Sequence, residues 1–149
     1  GGKPPMTRVD LRNERGNGTT ITPNNGTDSN VLLHQVTVTN AAIGLQAQDG
    51  AVVNAVNSVF SNNARGVSTV SVSGGYVMVN LDGVYVTGNT NFGIAAGNNT
   101  SVRMSNVGVY GNGGGLKVTG NGLIVSFTNN RLGPDAGSTG LPSLSVGEK

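Results

Sequence analysis

Three features of this 149-residue sequence predict an all-β solenoid, in which short strands stack coil upon coil. The first is an internal repeat in which apolar and polar residues alternate. The second is a composition rich in glycine, at 25 residues, and poor in charged residues, at 11%. The third is the lack of any long segment with the 3.6-residue apolar period of a helix. Alternation at period two turns successive side chains to opposite faces, so the repeat is expected to contain strands.

Each repeat contains one apolar reference residue, and an apolar residue usually stands two positions before it. The reference residues, at successive spacings of 22, 26, 23 and 18, are Val38, Phe60, Val86, Val109 and Phe127. The residues two positions earlier are Val36, Ser58, Val84, Val107 and Val125. We expect the five reference residues to stack in one interior column, because they occupy the same position of successive repeats.

Two further alternating units complete the repeat. Before the reference residue stand Val31-x-Leu33, Val53-x-Ala55, Val79-x-Leu81 and Val102-x-Met104. After it stand Gly44-Leu45, Gly66-Val67, Gly93-Ile94 and Gly115-Leu116. Three short strands cannot bury their inner faces alone, so the repeats are expected to stack as coils around a shared core. The prediction is a right-handed parallel β-helix of about five coils with three short strands per coil, since parallel crossovers are overwhelmingly right-handed.

Asparagine and glycine mark the corners between the strands. The asparagines that follow the reference residues are Asn40, Asn62, Asn63, Asn89, Asn112, Asn129 and Asn130. Both residue types tolerate the left-handed backbone region that a sharp bend needs. Stacked asparagine side chains can also bond to the coils above and below. We therefore expect a ladder of corner amides along the solenoid.

The sequence divides into three parts. We assign residues 1–30 to an N-terminal flank that forms a partial coil or a cap, 31–132 to the coils, and 133–149 to an irregular tail or cap. The partial coil rests on Val9-x-Leu11, which lies 22 residues before Val31-x-Leu33. Residues 18–21 would form its third strand.

The corner pattern resembles that of a known group of proteins. The three segments that show it are Asn62-Asn63-Ala64-Arg65-Gly66-Val67, Asn89-Thr90-Asn91-Phe92-Gly93-Ile94 and Asn112-Gly113-Gly114-Gly115-Leu116. They resemble the Asn-x-x-x-Gly-aliphatic rhythm of right-handed parallel β-helix repeat proteins in the pectate-lyase-like superfamily. The resemblance covers about residues 30–132 and is closest to uncharacterised exported bacterial members, whose last coils also end in a stretch like Ser126–Arg131. It implies an extracellular, cell-surface or periplasmic location.

The residues that catalysis or metal binding would need are sparse. Of seven acidic residues, only Asp49 and Asp82 lie firmly inside the repeat, and they occupy different repeat positions. Calcium takes six to eight oxygen ligands, and glycoside hydrolysis needs two carboxylates close together. The chain has no cysteine, and His34 is its only histidine. We therefore expect no catalytic residue, metal or cofactor.

A row of hydroxyl groups is the candidate binding site. The residues after the reference positions are Thr39, Ser61, Thr87, Tyr110 and Thr128. If the reference residues point inward, these hydroxyls form an outward ladder that can bind glycans. Tyr85 precedes a reference residue and Tyr110 follows one, so we expect them to face oppositely and to form no stacking platform.

The charged residues indicate little about partners. Arg65, Arg103 and Lys117 are cations within the coils; they can bind an acidic sugar, although such residues more often keep a scaffold soluble. The net charge is only +2, and the sequence lacks the dense basic stripe of a protein that binds nucleic acid. The longest apolar run, Tyr76–Val79, is too short to insert into a membrane.

Three functions follow as expectations. The first is a non-enzymatic exported scaffold, structural or surface and glycan-binding, with carbohydrate as partner. The alternative is a polysaccharide-active enzyme, a lyase or hydrolase, or a fragment of one, as the resemblance implies. The third is a self-assembling fibre module, because open coil ends can join copies of the chain.

Overall fold

The computed structural model describes residues 6–8, 10–12, 15–23 and 29–147, and these contain strands but no helix. Every strand pairing is parallel, and three sheets wind around a common core as a β-solenoid of about six turns. The predicted all-β parallel solenoid with three strands per coil is confirmed. The coil number exceeds the expected five because residues of both flanks add strands to the sheets.

The strands of each coil belong in turn to sheets A, B and C. Sheet A has the order β1 (Met6–Thr7), β4 (Ser29–His34), β7 (Ala51–Val56), β10 (Val77–Asp82), β13 (Thr100–Ser105), β16 (Leu123–Phe127) and β18 (Leu144–Val146). Sheet B has β2 (Asp10–Arg12), β5 (Thr37–Thr39), β8 (Val59–Ser61), β11 (Tyr85–Thr87), β14 (Gly108–Tyr110) and β17 (Arg131–Leu132). Sheet C has β3 (Thr19–Ile21), β6 (Ile43–Gln48), β9 (Arg65–Val70), β12 (Phe92–Ala96) and β15 (Gly114–Val118).

The core consists of columns of apolar side chains, one residue per coil. The column of sheet B contains Leu11, Val38, Phe60, Val86, Val109 and Leu132. Two further columns of the core come from the other sheets. The column of sheet A contains Val31, Val53, Val79, Val102 and Ile124, and the column of sheet C contains Leu45, Val67, Ile94 and Leu116. The predicted stacking of the first four reference residues is confirmed, and the side chain of Phe60 is fully buried.

The prediction for Phe127 is wrong. Phe127 lies in sheet A at the end of β16, where Val125 and Phe127 are half-buried while Ile124 and Ser126 point into the core. Leu132 takes its place in the sheet B column, 23 residues after Val109. The spacing of 18 residues before Phe127 already departed from the 22–26 residues of the other repeats. The alternation could not identify the inward face of β16, because both faces of this strand carry apolar residues.

The predicted register of the first coil also needs correction. Leu11 pairs with Val38 in sheet B rather than with Leu33, whose partner in sheet A is Met6. Val9 lies outside the described residues. The expected third strand is present as β3, which pairs with β6.

A ladder of asparagine side chains joins the coils at the corner between sheets B and C. The Asn63, Asn89 and Asn112 side chains are buried, and each oxygen accepts the backbone N–H of the coil before it, at 2.9–3.0 Å. Each amide nitrogen donates to a backbone carbonyl in that earlier coil, at 3.1–3.2 Å. Asp135 continues the ladder and accepts from the Asn112 N–H at 2.8 Å. The expected ladder of corner amides is therefore present for three of the seven asparagines, whereas Asn129 and Asn130 lie at the corner between sheets A and B.

The residues after β17 follow the path of a further coil. The Gly137 N–H donates to the Gly113 carbonyl at 2.7 Å, and the Leu116 N–H donates to the Thr139 carbonyl at 2.7 Å. Strand β18 then pairs with β16 at the end of sheet A. The tail thus covers much of the backbone edge that the last full coil would otherwise leave open.

Candidate functional site

The acidic side chains in the described part of the chain do not converge. No group of three or more His, Cys, Asp or Glu residues that could hold a metal occurs within the described ranges. Asp49 stabilises a loop instead, since its Oδ1 accepts the N–H groups of Val72 and Ser73 at 2.8 and 2.9 Å. The hydrogen bond from the Ser73 N–H holds the pKa of Asp49 below its ordinary value, against the opposing effect of desolvation. This carboxylate is therefore engaged in a turn.

His34 and Asp82 share one column on the outer face of sheet A, as their repeat positions predict. Val56 lies between them in the register, so two strand spacings, about 10 Å, separate their backbones. Among the described residues the only ion pair joins Asp10 and Arg12, at 2.6 Å. The outer face of sheet A therefore presents single ionisable groups without an acid–base pair.

Four of the five predicted hydroxyl residues lie side by side. Thr39, Ser61, Thr87 and Tyr110 are successive partners on the outer face of sheet B, in β5, β8, β11 and β14. Thr128 lies outside this row, in the turn between β16 and β17. Its exclusion has the same cause as the error at Phe127, since both positions depended on the misplaced fifth repeat.

The expected opposite orientation of Tyr85 and Tyr110 is wrong. The residues before and after an inward residue stand two positions apart, so they share the outer face of a strand. In the structure both rings approach Gly108: a Cβ placed there would lie 3.0 Å from Tyr85 Cδ1 and 3.0 Å from Tyr110 Cε1. The two aromatic rings thus flank a backbone position that has no side chain of its own.

A groove lies beside these rings on the outer face of sheet B. Gly108 stands between Tyr85 and Arg131 in one column of partners, and the two tyrosine rings cover its buried backbone. The groove measures about 360 Å³ and is lined by Tyr85, Asn106, Val107, Gly108, Thr128, Asn129, Asn130 and Arg131. Thr128 lines this groove although it lies outside the hydroxyl row.

The floor of the groove is held by side-chain amides. The Asn129 oxygen accepts the Asn106 N–H at 3.0 Å, and the Asn130 oxygen accepts the Val107 N–H at 2.7 Å. The amide nitrogen of Asn130 donates to the Met104 carbonyl at 2.9 Å. Because the Asn129 and Asn130 amides hold the backbone, the groups that remain for a ligand include the Tyr85 ring, the Thr128 hydroxyl and the Arg131 guanidinium.

The sequence contained a signal for this groove that the repeat analysis missed. The position before the sheet B reference residue is Thr37, Val59, Tyr85 and Gly108 in successive coils. A glycine beside a tyrosine at one outward position leaves room for the aromatic ring to lie over the neighbouring strand. Arg131 could be placed there only once Leu132 was recognised as a member of the column.

Comparisons with known protein families, with curated proteins and with solved structures return no match for this chain. Within the described residues, no helix is long and apolar enough to cross a membrane.

Proposed function

We propose that this chain is a non-enzymatic glycan-binding β-solenoid, and that its ligand lies in the groove between Tyr85 and Arg131. The observation that carries the proposal is the Tyr85 ring, 51% exposed, beside a gap whose far side is formed by Arg131. Binding sites for small ligands are concave, and a few fixed polar groups orient the ligand in them.

The chemistry of the groove suits a sugar ring. A tyrosine side chain offers an apolar face and a polar tip, which match the C–H face and the hydroxyl edge of a pyranose. The Arg131 guanidinium provides several N–H donors, and the Thr128 hydroxyl can donate or accept. The fixed backbone below them lowers the entropic cost of binding.

A polysaccharide-active enzyme is the alternative function, and the observations favour it less. Hydrolysis of a glycosidic bond ordinarily uses two carboxyl groups, held about 5–10 Å apart. No acidic residue lines the groove. We expect purified protein to release no unsaturated or reducing product from polygalacturonate, with calcium present.

The wider assignment is part of the same proposal. The Asn-x-x-x-Gly rhythm, now seen to mark the corners of a parallel solenoid, supports a right-handed winding and a place in the pectate-lyase-like superfamily. Such a relationship supports a bacterial protein that acts outside the cytoplasm, with carbohydrate as its partner and no role in binding nucleic acid or inserting into membranes. Association of copies through coil ends would make it a fibre module.

Two matched variants test the groove. A glycan array with the intact chain should identify a ligand, and Tyr85→Ala should weaken its binding about tenfold, as for loss of an aromatic contact worth about 1.4 kcal/mol. Tyr76→Ala is the control, because Tyr76 is 46% exposed but stands outside the groove. Equal losses in the two variants, or no glycan bound at all, would contradict the proposal.

A further inference from the structure

The outer face of sheet C has a second groove, formed by residues from three successive coils. It measures about 190 Å³, and its lining includes Arg65, Phe92, Ala95 and Lys117. Arg65 and Phe92 are direct partners in β9 and β12, while Lys117 is the partner of Ala95 in β15. The small side chain of Ala95 leaves the groove open between the aromatic ring and the strand of Lys117.

Two cationic side chains line this groove, and one of them contacts its aromatic ring. The Lys117 ammonium lies over the Phe92 ring, 4.5 Å from its centroid, so the side chain folds back across the strand towards the coil of Arg65. A cation–π contact of this kind fixes the ammonium and reduces the entropy that a ligand would have to remove.

No negative charge compensates this pair. The lining of the groove contains no Asp or Glu, and neither Arg65 nor Lys117 belongs to the one ion pair found in the described part of the chain. Arg65 and Lys117 lie two strands apart on one face of sheet C, with β12 between them, so they leave a local excess of positive charge on this face. An anion between them would gain a favourable interaction with each.

We propose that the sheet C groove binds the oxyanion group of an acidic saccharide. The proposal rests on the proposed function for the class of ligand, although the site is a different one. The planar Arg65 guanidinium can hold two oxygens of a carboxylate or a sulfate ester at once, and Lys117 acts as a point charge beside it. The sugar ring would lie over Ala95, where no bulky side chain stands. Two cations suit one anionic substituent, whereas a nucleic acid needs a longer basic stripe.

The test compares three trisaccharides on the intact chain by calorimetry and by NMR: a uronate, its carboxyl-reduced neutral counterpart and a sulfated form. We expect the uronate or the sulfated form to shift the amide signals of Ala95 and Lys117. The form that binds with the higher affinity identifies the oxyanion that the groove prefers. The double substitution Arg65→Gln with Lys117→Gln should weaken this binding at least about tenfold, as expected for two lost charge-assisted contacts. Binding of the neutral trisaccharide should not change.

The matched control removes the same charge elsewhere. Arg15→Gln with Arg103→Gln replaces two exposed cations outside both grooves, and it should change the affinity less than about threefold, through long-range charge alone. Equal weakening in the two double variants would overturn the inference, and so would unchanged binding in the Arg65 and Lys117 variant. A single-stranded oligonucleotide that binds more tightly than the saccharides would also overturn it.

The outcomes separate this inference from the proposed function. Tyr85→Ala should leave binding of the acidic trisaccharide at Ala95 and Lys117 intact. If the Tyr85 groove binds no glycan while the charged groove responds to the acidic trisaccharide as described, the proposal for the Tyr85 groove fails and the inference stands. A Tyr85-dependent glycan together with no signal at Ala95 gives the reverse result.

Discussion

The ladder at the corner between sheets B and C shows how single side chains connect the coils. An asparagine can serve both neighbours of a buried corner, because its amide has an acceptor and a donor. Asn89 accepts from the Asn63 N–H at 3.0 Å and donates to the Phe60 carbonyl at 3.1 Å. Asp135 ends the ladder with a carboxylate, whose Oδ1 accepts from Asn112 while Oδ2 is buried without a hydrogen-bond partner. One oxygen of this carboxylate therefore replaces a donor that every earlier rung provides.

Asp135→Asn is predicted to stabilise the fold by about 1 kcal/mol, because it removes a buried oxygen without a partner and restores a donor. Asp135→Ala should destabilise it by about 1–3 kcal/mol, since the N–H of Asn112 then loses its acceptor. Urea unfolding of the two variants and the unsubstituted chain measures both changes. If Asn at this position lowers the unfolding midpoint as much as Ala does, the buried oxygen is not a defect.

Individual strands show what the sequence can predict and what it cannot. In sheets A and C the alternation, bounded by corner residues, predicts the inward columns up to β13 and β15, because the inward residues recur at the same repeat position even where the outward face carries an apolar residue such as Val52 or Met78. In β16 it does not, since Leu123, Val125 and Phe127 lie on one face and Ile124 on the other. The grooves depend on register across coils. Arg65 and Lys117 are 52 residues apart in sequence, and no local pattern brings them to one face.

The two phenylalanines that the sequence placed in one column should differ sharply in their contribution to stability. Phe60→Ala is predicted to cost about 3–5 kcal/mol, because the side chain is fully buried and its removal leaves a cavity in the core. Phe127→Ala should cost about 1 kcal/mol or less, since the ring lies half-buried on the outer face of sheet A, where water can replace it. Chemical denaturation compares them directly. Equal costs would mean that Phe127 belongs to the core after all.

The loop between β9 and β10 is predicted to depend on pH through Asp49. The pKa of this carboxyl is lower in the folded chain than in the unfolded one, so its contribution is fully present above its ordinary value. The contribution is lost as the pH falls through the folded pKa, because a protonated carboxyl accepts the two N–H groups poorly. The amide proton shifts of Val72 and Ser73 should titrate at a pH below the ordinary pKa of an aspartate side chain. Asp49→Asn is the control and should abolish this titration; shifts that move equally in both proteins would contradict the assignment.

At the scale of the whole molecule, a solenoid must protect the two ends of its sheets. Parallel strands share hydrogen bonds with the coil on either side, so a final coil exposes N–H and C=O groups that can pair with another chain. In this protein residues 133–147 bond to that coil along all three sides: Gly111 to Pro134 at the end of sheet B, Leu116 to Thr139 in sheet C, and β18 to β16 in sheet A. Pro134 and Pro142 carry no N–H, so the tail itself is a poor template for a further strand.

Deletion of residues 133–149 is therefore predicted to promote association of the chain. The deletion exposes the N–H groups of Gly115 and Leu116, which now donate to the Ser138 and Thr139 carbonyls at 3.0 and 2.7 Å. It also removes Asp135 from Asn112 and uncovers β16. Light scattering over a range of concentrations should show oligomers for the truncated chain, while circular dichroism should still show β-structure.

Replacing Pro134 and Pro142 with alanine in the full chain is the milder companion variant. The tail stays in place but regains two N–H donors, so any association of this variant should be weaker than that of the deletion. A truncated chain that stays folded and monomeric at high concentration would show that the tail does not protect the end of the solenoid.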